Sequence, residues 1–180
     1  MKRFALLFAA LVIGACSLTL ATTTPPNCMP VRQAHARVKV SRMHWVQKNG
    51  AYQLDEDIVC NGQTNLGVLP GVAANCISPV LLNCQIELDG IKHQLNVSGS
   101  IYHNGSPFPQ TKHFSAGYHL DRNSIEIKTG EAASSDIHTE DLSLKKIGIA
   151  LQSKLDSPNF GTRTRDGFNI TVDFEDADAP

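Results

Sequence analysis

Leu82–Val97 reads LNCQIELDGIKHQLNV, and this stretch decides the fold class. Asp89-Gly90 is one of the dipeptides that accept positive φ at both central positions of a two-residue type I′ turn. Such a turn sets Leu88 opposite Ile91, Ile86 opposite His93, Cys84 opposite Leu95 and Leu82 opposite Val97. One face of the hairpin is then almost wholly apolar, while Asn83, Gln85, Glu87, Lys92 and Gln94 point away from it. Pattern and turn chemistry agree, as a half-buried antiparallel pair requires.

Outward from this hairpin the same period of two recurs. Ala34, Ala36, Val38 and Val40 alternate with His35, Arg37, Lys39 and Ser41. The parity then slips to Met43 and Trp45, which predicts a bulge near Ser41–Arg42. Asn49-Gly50 predicts a second tight turn into a return strand over Ala51–Ile58. Further strands are expected at His113–Leu120, Ser124–Lys128, Ile147–Leu155 and Phe168–Phe174, with Gly- and Asn-containing loop over 61–78 and polar loop over 129–141. About eight short strands and no long helix predict an all-β domain, a single sandwich or small barrel with mostly antiparallel pairing. Basic residues crowd 30–50 and acidic ones 156–178. If the first and last strands are neighbours, Arg37 and Lys39 face Asp173 and Glu175, although solvated faces explain the same charges.

Ahead of this body, Lys2 and Arg3 precede an apolar run from Phe4 to Ile13, then Gly14, Ala15 and Cys16. A charged, apolar, small-residue order is that of an export signal over residues 1–21. Ile13-Gly14-Ala15-Cys16 resembles the lipobox of bacterial lipoproteins, which implies cleavage before a lipidated Cys16 and, with Ser17, outer-membrane sorting. Cleavage after Thr19-Leu20-Ala21 is the other reading, giving a periplasmic or secreted protein. Residues 17–30 are Thr- and Pro-rich and read as a tether to a β domain over 31–178. Losing Lys2 and Arg3 leaves 14 basic against 17 acidic residues, a net charge of −3. That balance argues against nucleic acid as a partner, and leaves the N-terminal lipid as the only membrane contact.

Five cysteines are present, and Cys16 is either lipidated or discarded. Cys28, Cys60, Cys76 and Cys84 then form two disulfides, as expected of an exported chain. Cys60–Cys76 with Cys28–Cys84 is the preferred pairing, and Cys76–Cys84 its main rival.

Chemistry has few anchors. No G-x-S-x-G, H-E-x-x-H or phosphate-binding Gly loop occurs, and Asp55, Glu56 and Asp57 alternate in direction on a strand. No enzyme and no cofactor are expected. A hairpin from Ile101 to Phe114 would set His103 opposite His113, a pair that could hold copper or zinc with His119 or Asp121 as third ligand. Phe108, between Pro107 and Pro109, offers a preorganised apolar tip for a partner. Ser98-Gly99-Ser100-Ile101-Tyr102 resembles the Ser-Gly-x-x-Tyr loop of bacterial periplasmic or membrane-bound inhibitors of C-type lysozyme. That resemblance implies that Ser98 and Tyr102 reach into a lysozyme cleft. The leading expectation is an exported cell-envelope β domain with a non-catalytic binding or structural role, its partner a protein or envelope component.

Overall fold

In the computed structural model both turn residues of the decisive hairpin have positive φ, 51° at Asp89 and 76° at Gly90. The pairs Leu88–Ile91, Ile86–His93, Cys84–Leu95 and Leu82–Val97 all form. The structure describes residues 28–71, 76–104, 109–122, 131–153 and 166–178. The signal segment, most of the tether, Cys16, Phe108 and the strand expected at Ser124–Lys128 lie outside the described residues.

Eight strands follow in order: β1 Arg32–Lys48, β2 Ala51–Pro70, β3 Val80–Leu88, β4 Ile91–Asn104, β5 Thr111–Arg122, β6 Glu131–Thr139, β7 Lys146–Gln152 and β8 Asp166–Glu175. They form one sheet ordered β6-β5-β4-β2-β1-β8-β7, with β3 beside the first half of β4, nearly closed into a barrel. Every pairing is antiparallel except β2–β4, which runs parallel over Val68–Pro70. The first and last strands are neighbours, and Arg37 does lie opposite Asp173; Lys39 meets Thr171 instead, and His35 meets Glu175.

The inward positions form the core. Ala34, Ala36, Val38 and Val40 of β1 meet Phe168, Ile170, Val172 and Phe174 of β8, and Leu95, Val97 and Ile101 of β4 meet Phe114, Ala116, Tyr118 and Leu120 of β5. Phe114 and Phe174 pack at 5.9 Å between ring centres, and Tyr118 meets Phe168 edge-on at 5.0 Å. Gly99 is buried where a Cβ would lie 2.8 Å from Leu81 and from the Ser115 carbonyl and 3.0 Å from Phe174. A side chain there would prevent opposite walls from meeting.

Several expectations are corrected. Residues 61–70 continue β2 rather than forming a loop, because Leu66 and Val68 keep the inward alternation against β1. The register shift between Val40 and Ser41 sits where expected, but the extra residue is Val59 of β2, since Val40 faces Cys60 and Ser41 faces Ile58. The β1–β8 ladder passes the same point without a shift. Met43 and Trp45 therefore stand on the outer face, and Arg42 and His44 take the inward positions. Residues 131–139 are a strand, β6, not a polar loop. The disulfides are Cys28–Cys76 and Cys60–Cys84, with Cα separations of 5.5 and 6.7 Å, in place of Cys60–Cys76 with Cys28–Cys84 or the Cys76–Cys84 rival. The longer β2 explains this. It places Cys60 mid-strand beside β3, where Cys84 meets it, and the chain turns only at Gly71, bringing Cys76 back to Cys28 before β1. Two disulfides fit an oxidising compartment outside the cytoplasm.

Candidate binding face

With the inward positions taken up by apolar side chains, polar groups able to recognise a partner stand on the outside. On the outer side of β4, Asn96, Ser98, Ser100, Tyr102 and Asn104 alternate with the inward positions, Ser100 being itself buried. Across the ladder they face His119, Gly117, Ser115, His113 and Thr111 of β5. The next strand presents Ala132, Ser134, Asp136 and His138 of β6. No Lys or Arg occupies these positions, and the side chains between Ser98, Gly117 and Ser134 are short. They leave an open groove of about 400 Å³ lined by Asn96, Ser98, Gly117, His119, Ala132 and Ser134, with Tyr118 and Ala133 also bordering it.

One end of the groove is bounded by a row of rings. Tyr102 stacks on His113 at 4.6 Å with the planes 13° apart, and His113 meets His138 at 5.6 Å. Stacked rings stand upright on the sheet, so they present edges rather than faces to a ligand. The Tyr102 hydroxyl donates to Asp136 at 3.4 Å. Burial first, and then the Asp136 charge, raise the Tyr102 pKa, so the hydroxyl keeps its proton. Beyond the groove's other end, His119 Nε2 lies 2.8 Å from Asp121.

Ser98 and Tyr102 therefore share one face, four residues apart on β4, about 13 Å along the strand. Both sit between paired neighbours rather than on a loop: Ser98 faces Val80 and Gly117, and Tyr102 faces Leu69 and His113. His103 and His113 are not brought together. The register places His103 opposite Lys112 and Tyr102 opposite His113, one residue from the expected alignment, so the two imidazoles occupy opposite faces. Among the described residues no group of three His, Cys, Asp or Glu side chains stands ready to hold a metal.

His103 belongs instead to an inward ionic cluster at one mouth of the barrel. Asp176, with no exposed surface, pairs with Lys112 at 2.6 Å and with Arg32 at 2.9 Å. Arg32 also lies 3.1 Å from His103 Nε2, and Lys112 donates to the Leu144 carbonyl at 2.6 Å. The other mouth carries Arg42 on Asp166, whose carboxylate also accepts the Asp89 backbone N–H at 2.8 Å. His138, Asp136 and Ser134 escaped the sequence reading. Their strand lies at the sheet edge and buries little, so no apolar period marks it.

Comparison with protein-family models, with curated proteins and with solved structures finds no match.

Proposed function

We propose that this chain is an exported cell-envelope domain that binds a protein or envelope component through the outer face of β4–β5–β6, without catalysis. The observation that carries the reading is the short-chained groove, free of Lys and Arg, beside Tyr102, His113 and His138, on a barrel whose inward side chains are apolar. Ser, Asn, Gly and Tyr surfaces favour recognition, because they combine adaptable hydrogen bonding with rigid ring contacts of low entropic cost. The signal-like segment and the Thr- and Pro-rich stretch after it support an envelope location, with Cys16 lipidated or the chain released after Ala21.

A photo-crosslinking residue at Ser98, in intact cells, captures a discrete envelope partner, and the same residue at Asp173 on the far side does not. Equal capture from both positions, or none from Ser98, removes the reading. C-type lysozyme is the first partner to try, on the resemblance around Ser98 and Tyr102. Tyr102→Ala abolishes inhibition if it is the partner, and an unsubstituted protein that leaves lysozyme active excludes it.

A further inference from the structure

The ring of His113 meets two different surroundings. Its Nε2 lies 3.0 Å from Thr111 Oγ1 and 3.1 Å from the Asn104 side-chain nitrogen. Its Nδ1 is enclosed and has no hydrogen-bond partner, and faces Asp136 Oδ2 at 3.6 Å. Asn104 Oδ1 is likewise enclosed and unbonded. With the Asn104 amide nitrogen donating to it, Nε2 accepts, and the proton of the neutral ring sits on Nδ1, on the side of Asp136. A metal ion at Nδ1 moves that proton to Nε2, where Oδ1 of a turned Asn104 amide accepts it.

Nδ1 and the Asp136 carboxylate then face one cation from two sides. Their separation also fits. Bonds of about 2.0–2.1 Å around a tetrahedral ion set its ligands roughly 3.3–3.4 Å apart. The observed 3.6 Å is close to that edge and too long for a hydrogen bond. His138 stands directly opposite His113 in the β5–β6 ladder, exposed, with its ring 5.6 Å away. Tyr102 supports the other side of the His113 ring, while Thr111 and Asn104 hold Nε2, the outer hydrogen bond that orients a ligating imidazole.

We propose that His113 Nδ1, Asp136 and His138 form a site for a divalent transition metal of the zinc or copper type, His138 turning inward to complete it. Two imidazoles and a carboxylate are the borderline donors such ions prefer. A fourth position is left open to water. The site needs only the folded domain, so it stands or falls apart from partner capture at Ser98.

Zinc chloride titrated calorimetrically into the Cys16→Ser protein, with both disulfides formed, is expected to bind one to one. His113→Ala, His138→Ala and Asp136→Asn each weaken binding by at least about tenfold, while His119→Ala, at the separate His119–Asp121 pair, leaves it unchanged. Far-UV circular dichroism checks that each variant is folded. Three results would each overturn the assignment: no saturable zinc binding, undiminished binding in His113→Ala, or an equal loss in His119→Ala. So would ¹⁵N imidazole shifts showing a proton held on His113 Nδ1 that zinc does not displace.

Discussion

Lys112 carries its ammonium to a position with no solvent contact, 2.6 Å from an equally buried Asp176 and 5.3 Å above the Phe114 ring. Removing one partner of such a pair leaves an uncompensated buried charge, which costs about 3–5 kcal/mol, whereas replacing both partners by apolar residues of similar volume is often neutral. Asp176→Ala strands both Lys112 and Arg32 and is therefore expected to lower the urea midpoint more than Lys112→Met, which leaves Asp176 paired with Arg32. Equal losses would show that the pair itself, not the stranded charge, sets the energy. His103 gives this cluster a pH dependence. Burial, then the Arg32 and Lys112 charges, hold its pKa below the ordinary histidine value, and the opposing pull of Asp176 is smaller. The unfolded chain thus takes up the proton first as pH falls, so this contribution is complete above about pH 6.5 and declines below it. Urea midpoints should fall as the pH drops below about 6.5, less steeply in His103→Gln; an unchanged slope would assign the dependence to other groups. None of this was legible from sequence, because Arg32, His103, Lys112 and Asp176 are scattered and meet only when the barrel closes.

Among the described residues, β2 between Ala51 and Val59 is paired on one side only, with β1. Its outer surface there is apolar at Tyr52, Leu54 and Ile58, all exposed. A bare edge of this kind invites a second copy to pair with it. Asp55, Glu56 and Asp57 sit at its centre, so antiparallel pairing about a two-fold axis near Glu56 would bring six carboxylates together. The acidic run thereby acquires a role as a guard against self-pairing. Neutralising it (Asp55→Asn, Glu56→Gln, Asp57→Asn) is expected to produce dimers or larger species by sedimentation at about 100 μM, a concentration in the range where exposed strand edges aggregate. A variant that stays monomeric would contradict this. Elements with one buried and one wet face were readable. The 82–97 hairpin, the Asn49-Gly50 turn, β7 and β8 all follow from alternation and turn residues. Two elements escaped that rule. β6 buries too little to alternate, and the Gly- and Asn-rich half of β2 carries its signal in Leu66 and Val68 alone.

At the scale of the molecule, the barrel class was within reach of the pattern, since eight short strands must close or stack to hide their apolar faces. The disulfide pairing was not, because it depends on where β2 ends. The binding face was half legible. Ser98 and Tyr102 were marked by a motif, but their β5 and β6 neighbours emerge only from the register. That same register governs how the chain comes together. β1 lies between β2 and β8, and Asp176 closes on Arg32 across 144 residues of sequence. Such long-range closure makes folding slow and late. A chain emerging N-terminus first holds β1 with an open edge until residues 166–176 arrive, so the barrel assembles only once almost all of it is present. Any product truncated before β8 lacks both the strand and the counter-charge that seal the mouth, and is left as a target for proteolysis rather than a partly working domain.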